Sequence, residues 1–129
     1  LMFRQDPGKI NAMSSTKINF HNQHAVYMHD TPQKSYFNKL MRFDSSGCVR
    51  VQNVRDLDVW LLKNTAGWDR QNIEVTIASG VNTPIQVSDP VPLHFVYITA
   101  WSTGDGVVQF RDDIYKMDGA TALALGTDT

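Results

Sequence analysis

The chain has 129 residues, the size of one domain, and its 42% hydrophobic and 19% charged residues exclude an intrinsically disordered chain. Lys and Arg number 12 and Asp and Glu 13, so no basic excess exists to hold a polyanion, and nucleic acid is not an expected partner. No apolar run approaches the ~20 residues of a membrane-spanning helix. A single cysteine excludes an internal disulfide and zinc sites that need several cysteines.

The first 16 residues are expected to form a loop. Asp6-Pro7-Gly8 favours a tight turn, and Ser14-Ser15-Thr16 is polar. The start at Leu1 lacks the basic and apolar stretches of a signal peptide, and it indicates a segment of a longer protein.

Two short strands are predicted next, over Lys17 to Phe20 and Ala25 to His29. In the second strand, alternation places Ala25, Tyr27 and His29 on one face. His29 therefore ends a strand, a position from which side chains often project into a cleft.

Helical signals fill the middle of the chain. Thr31-Pro32 predicts the start of a helix of about two turns, with Phe37, Leu40 and Met41 on one side. The run Ser45-Ser46-Gly47 then interrupts it.

Two further helices are predicted beyond that break. Asn53 is expected to cap the first of them, which has an apolar stripe of Val54, Leu57, Trp60 and Leu61. Asp69 is expected to cap the other, which runs to about Ser79 and ends at Gly80.

The last third of the chain has β character. Leu93 to Trp101 is nearly all apolar and predicts a strand buried on both faces. Gly104-Asp105-Gly106 predicts a hairpin turn, and Val107 to Phe110 the returning strand. The fold class is therefore expected to be α+β, mostly β sheet or sandwich with helices inserted near Cys48.

Cys48 lies in the stretch Ser45-Ser46-Gly47-Cys48-Val49-Arg50, which favours a reactive thiol. Gly47 removes a side chain beside the sulfur, so a substrate carbonyl can approach the backbone. In an extended segment Arg50 shares the face of Cys48, where a cation stabilises a thiolate or holds a carboxylate. The alternative is a buried, inert thiol.

A nucleophilic thiol needs a base, and the candidates are His21, His24, His29 and His94. His29 is the best placed, because it ends a strand before an abrupt turn. The alternative is a strand-end histidine satisfied by Asp30. His21 and His24 are expected in a loop, and His94 is expected to be structural within its apolar strand. No metal site is predicted, because the histidine spacing does not converge on one face.

These residues resemble the signature of the L,D-transpeptidases: a histidine, fourteen to seventeen residues, then Ser or Thr, His, Gly, Cys, a hydrophobic residue, and Asn or Arg. Here the motif reads His29, fifteen residues, then Ser45-Ser46-Gly47-Cys48-Val49-Arg50. Residues 26–32, 92–101 and 109–115 resemble the corresponding segments of the large periplasmic L,D-transpeptidases of Gram-negative bacteria. Ser46 replaces the usual histidine of the motif.

The resemblance implies that residues 1–129 form the C-terminal part of an L,D-transpeptidase catalytic domain. Residues 1–16 would be a loop leading into the site, 17–115 the core and 116–129 a tail. The family's N-terminal strands and mobile lid are expected to be missing from this segment. Self-association, or strands from elsewhere, would then complete the sheet.

The resemblance also implies a mechanism, in which Cys48 is the nucleophile and His29 the base, oriented by a backbone carbonyl. Gly47, Ser46 and Tyr27 would support the oxyanion. Three further residues are expected to bind substrate: Arg50, Thr31 and Trp101. Arg50 has an equally weighted structural alternative, in which it holds the shape of the site.

The implied substrate is the stem peptide of peptidoglycan, the implied product a 3→3 cross-link, and the implied location the periplasm. The resemblance implies no cofactor, and it implies reaction with carbapenems. Two alternatives stay open: an L,D-carboxypeptidase on the same scaffold, and a non-catalytic fragment that binds the cell wall.

Overall fold

The computed structural model of the protein describes residues 1–119, so the predicted tail lies outside the described residues from position 120 onward. The chain divides into two units, Leu1–Val91 and a second that begins at Pro92. None of the helices within residues 1–119 is both long enough and apolar enough to cross a membrane.

The first unit contains a sheet of three short strands, β1 (Lys17–Ile18), β2 (Met28–His29) and β3 (Val49–Arg50). β2 lies in the middle, antiparallel to β1 and parallel to β3. This three-stranded sheet positions the candidate site.

The first two strands are shorter than predicted because the side chain of Asn22 competes for their backbone groups. Its Nδ2 donates to the carbonyls of Phe20 and Val26, and its Oδ1 accepts from the N–H of Val26. Ala25 also has a positive φ of 52°, which a strand does not accommodate. Pairing is therefore confined to the ends of the predicted strands that lie away from Asn22.

The helix predicted after Thr31-Pro32 is wrong, because a single 3₁₀ stretch, Lys34–Asn38, stands in its place. Lys39 returns to extended backbone, and Arg42 donates to the carbonyls of Phe37 and Lys39. The expected apolar side does not form, since Leu40 is 82% exposed. This segment carries the chain across from β2 to β3.

Two α-helices follow, α1 (Val54–Leu61) and α2 (Arg70–Ser79), close to the predicted bounds. Asp69 caps α2 by accepting from the N–H of Asn72, and Gly80 ends it with a positive φ, both as predicted. Asn53 precedes α1 in left-handed conformation, and its side chain makes no capping hydrogen bond, so its predicted role as a side-chain cap is wrong.

The core of the first unit lies around these helices. The buried apolar residues among those described are Val54, Leu62 and Ile73. Arg55 pairs with Glu74 across the helices, and Arg70 pairs with Asp56. Apolar contact and paired charges together hold α1 against α2.

The second unit contains an antiparallel hairpin of β4 (Ala100–Ser102) and β5 (Val108–Phe110). Its turn includes Gly104 and Gly106, both with positive φ, as the sequence predicts. The buried strand predicted over Leu93 to Trp101 is wrong, because only its last two residues pair and Val96 is 75% exposed. His94 is likewise exposed and lies outside any strand, so its structural role is wrong too.

Small sheets together with two α-helices confirm the α+β class. Within residues 1–119 the two α-helices contain more residues than the five strands, so the sheet-dominated sandwich is not observed. The strands are short for two reasons. The side chain of Asn22 binds backbone groups that would otherwise pair between β1 and β2, and most of the segment before β4 is exposed and unpaired with another strand.

Candidate active site

One face of the three-stranded sheet gathers the residues that sequence analysis singles out. Met28 pairs with Val49 and His29 with Arg50 in the parallel register of β2 and β3. The N–H of Val49 donates to the carbonyl of Tyr27 at 3.0 Å, which extends the ladder beyond β2. Since alternate residues share a face, β2, β3 and the residues that precede them contribute Tyr27, His29, Cys48 and Arg50 to this face.

Cys48 and His29 are diagonal neighbours on this face. A strand spacing of ~4.8 Å and a rise of ~3.3 Å per residue put the Cα atoms of such neighbours about 8 Å apart, within reach of two side chains. Cys48 is half-buried, so its thiol is neither sealed in a core nor fully solvated. The thiol is therefore not buried, in contrast to one part of the alternative of a buried, inert thiol.

His29 is 9% exposed, and a single contact orients its ring. Nδ1 lies 2.5 Å from the carbonyl oxygen of Asp30. A carbonyl only accepts, so Nδ1 carries the proton and Nε2 is left with a lone pair. The side chain of Asp30 does not hold this ring, which agrees with the expectation that a backbone carbonyl orients it.

Tyr27 interacts with both His29 and Cys48. Its ring centroid is 5.7 Å from that of His29. Burial raises the pKa of the Tyr27 phenol, and electrostatic interaction and a hydrogen bond with Cys48 raise it further. The phenol therefore stays protonated at neutral pH and can donate toward the sulfur or toward a group bound there.

The turn before Cys48 is held by Ser45. Its Oγ accepts from the N–H of Gly47 at 3.1 Å and donates to the carbonyl of Cys48 at 2.6 Å. Gly47 has a φ of 146°, and a Cβ there would lie 3.2 Å from Val26. A side chain at position 47 would therefore crowd Val26.

Arg50 is half-buried, and its guanidinium carbon lies 4.5 Å above the centroid of the Tyr36 ring. Tyr36 belongs to the 3₁₀ stretch, so this contact ties the crossover to the active face. Sequence analysis does not find Tyr36, because Tyr36 and Arg50 belong to different elements and no periodic pattern in the sequence relates them.

Lys17 is a second cation on the same face that sequence analysis misses. It pairs directly opposite His29 in the register of β1 and β2. Its Nζ lies 4.2 Å from the centroid of the Tyr27 ring. Alternation within Lys17 to Phe20 predicts which of these residues share a face. It does not predict that Lys17 pairs with His29, because the register between two strands cannot be read from the sequence.

A network of buried carboxylates lies behind His29. Burial disfavours the charged form of Asp30, but hydrogen bonds from Lys34, Ser15 and the backbone of Thr31 hold its pKa at about 2. Burial raises the pKa of Asp58, despite a 2.8 Å hydrogen bond from Thr16. Asp30 is therefore an anion that anchors the segment 14–16 to β2.

The other predicted site residues are Thr31, Ser46 and Trp101. Thr31 is buried, with its Oγ1 accepting from the N–H of Gln33, so its side chain stabilises the turn. Ser46 is exposed, and Trp101 lies on β4 in the second unit. His21 and His24 lie in an exposed loop, as expected. Within the described part of the chain, no three His, Cys, Asp or Glu side chains form a metal-binding group.

Comparison with known proteins agrees with this arrangement. The sequence profile of the YkuD family, the L,D-transpeptidase catalytic domain, matches residues 2–87, a stretch that contains β1, β2 and β3. A protein of Haemophilus influenzae named "Putative L,D-transpeptidase" is 36% identical over 114 residues. The match covers 88% of this chain and 23% of that protein, so the chain spans a minor part of this relative's length. The chain belongs to the family of L,D-transpeptidase catalytic domains.

Proposed function

We propose that this chain carries the catalytic centre of a peptidoglycan L,D-transpeptidase that forms 3→3 cross-links between stem peptides. The observation that carries the proposal is the parallel pairing of β2 with β3. It makes Cys48 and His29 diagonal neighbours, and the contact of Nδ1 with Asp30 leaves Nε2 of His29 as an acceptor. A thiol and an imidazole lone pair on one face are what acyl transfer through a thioester needs.

In the first half of the reaction, the Cys48 sulfur attacks the carbonyl that joins diaminopimelate to the terminal D-Ala of a tetrapeptide. His29 Nε2 takes the thiol proton and gives it to the leaving amine as the C–N bond breaks. D-Ala departs and a thioester remains on Cys48. In the second half, the side-chain amine of another stem attacks the thioester, and His29 Nε2 takes a proton from this amine and gives it to the sulfur as the C–S bond breaks.

The negative oxygen of each tetrahedral intermediate needs donors. The Tyr27 hydroxyl and the N–H of Cys48 are the donors we assign to it, and the loss of one such donor costs roughly 100- to 1,000-fold in rate. The N–H of Gly47 already donates to Ser45, so Gly47 supports the site through its turn. Ser46 continues that turn.

Substrate contacts form the finer part of the proposal. Arg50 makes no ion pair within residues 1–119, so its guanidinium is available to a substrate carboxylate while the Tyr36 ring steadies it. Trp101 is proposed to line the donor groove. Thr31 would act by fixing the turn after His29.

Product analysis with purified tetrapeptide stems tests the reaction. Cross-linked dimers that are absent with Cys48→Ala support the transpeptidase. Tripeptides without dimers indicate that water is the acceptor and that the protein is an L,D-carboxypeptidase. Unchanged tetrapeptide on folded protein contradicts both and favours a non-catalytic fragment that binds the wall.

The family relationship supports a location in the periplasm, where stem peptides are found, and acylation of Cys48 by carbapenems. Completion of the sheet by other strands, or by a second copy, is also proposed. Both outer strands of the sheet, β1 and β3, have one edge that no strand covers within residues 1–119.

A further inference from the structure

An open cavity of about 340 Å³ adjoins the active face, between β1 and the loop 20–26. Lys17 and Tyr27 form one wall of it, and the polar side chains of Asn19 and His21 line it further.

The charged lining of the cavity is positive. Lys17 is its one cation, and no Asp or Glu lines it. Lys17 has no carboxylate within ion-pair distance among residues 1–119, although five other basic residues there have one. Its Nζ lies 4.2 Å from the centroid of the Tyr27 ring, a cation–π contact.

We propose that this cavity is the site for the terminal carboxylate of the acyl-donor peptide, and that the ammonium of Lys17 pairs with it. The inference rests on the proposed function. The terminal carboxylate of a tetrapeptide lies one residue, about 3.8 Å of chain, beyond the carbonyl that Cys48 attacks. Lys17 lies one phenol ring from Cys48 on the same face, so one bound peptide can reach both.

This assignment gives Lys17 a role in specificity. A donor with a free terminal carboxylate gains a charge-assisted hydrogen bond in the site, whereas a donor that ends in a carboxamide does not. The preference acts on acylation, because D-Ala and its carboxylate leave before the acceptor arrives. Lys17 is therefore a residue that selects donors and has no part in the proton transfers of His29.

The test compares the acylation rate of Cys48 by a tetrapeptide acid and by its terminal carboxamide, measured by intact mass. The parent chain is expected to react about tenfold faster with the acid. Lys17→Gln should lose that preference, measured as the ratio of the two rates, and Lys17→Arg should keep it. Lys63→Gln is the matched control, since Lys63 also lies over an aromatic ring, that of Trp60.

A preference that survives in Lys17→Gln overturns the inference and leaves the proposed function intact. Absence of adduct with both donors in the parent chain overturns the proposed function, and the inference with it. Equilibrium binding of the acid to Cys48→Ala, with and without Lys17→Gln, is the second readout. Equal affinities there also overturn the inference, whereas about tenfold weaker binding with Lys17→Gln supports it.

Discussion

Cys48 and His29 have complementary surroundings, although nineteen positions separate them in the chain. His29 is buried and fixed through Nδ1 by the carbonyl of Asp30, so its free nitrogen has one orientation. Cys48 is half-buried beside the protonated phenol of Tyr27. In the proposed reaction these groups would be the base, the nucleophile and an oxyanion donor, and preorganisation of such groups reduces the cost of reaching the transition state.

Replacement of His29 by Ala is expected to slow acylation of Cys48 by a tetrapeptide roughly 100- to 10,000-fold, because the thiol proton loses its acceptor. The rate of adduct formation, followed by intact mass, is the measurement. His24→Ala is the control, since His24 is an exposed loop residue. Equal rates for the parent chain and His29→Ala, with unchanged circular dichroism, would exclude His29 as the base.

At the scale of elements, the turn 45–47 sets the start of β3 and hence the position of the thiol. Gly47 meets two constraints there, a φ of 146° and the Val26 side chain 3.2 Å from where a Cβ would lie. Any other residue would strain the backbone and crowd the side chain of Val26.

Gly47→Ala is accordingly expected to lower the free energy of unfolding by about 1–3 kcal/mol. Denaturant unfolding measures this, and Gly8→Ala is the control, because a Cβ at Gly8 meets no atom within 4 Å. The control should change stability by less than about 0.5 kcal/mol. If both variants unfold at the same denaturant concentration, the turn is not a constraint on the site.

The two buried carboxylates should respond to pH in opposite directions. The pKa of Asp30 is lowered from 3.8 to about 2, so its stabilisation is present above pH 4 and disappears as the pH falls toward 2. The pKa of Asp58 is raised from 3.8, so its contribution favours low pH and is lost as the pH rises.

Asp30→Asn should therefore destabilise the chain by roughly 1–2 kcal/mol at pH 7, and by less as the pH approaches 2. Asp58→Asn should cost little at pH 7, because the amide oxygen can still accept from Thr16. Thermal unfolding across pH 2–7 is the measurement. A larger loss for Asp58→Asn than for Asp30→Asn at pH 7 would refute the assignment.

The elements differ in how well the sequence predicts them. α2 follows from local signals, since Asp69 and Gly80 act within one turn of each end. β1 and β2 are only partly predictable, because the amide of Asn22 removes their pairing groups. The roles of Lys17 and Tyr36 are not predictable from the sequence, because each contacts a residue of another element, Tyr27 and Arg50 respectively, and only the fold brings these residues together.

At the scale of the whole molecule, large apolar side chains are exposed in both units. In the second unit Val96 is 75% exposed and Phe110 76%, beside a two-stranded hairpin that is marginal by itself. Exposed apolar surface and uncovered strand edges favour association.

The chain is expected to associate at micromolar concentration, and Val96→Lys should weaken that association. Sedimentation velocity over a concentration series is the measurement. Val75→Lys is the control, since Val75 is 62% exposed on α2 in the other unit. A parent chain that stays monomeric at every concentration would contradict the need for additional strands.

The central claim is that Cys48 accepts an acyl group with His29 as its base. The most direct measurement is the intact mass of the chain after incubation with a tetrapeptide stem. The account predicts an adduct with the mass of the stem minus D-Ala, on Cys48 and absent from Cys48→Ala. A folded chain that shows no such adduct, or the same adduct on Cys48→Ala, would contradict it.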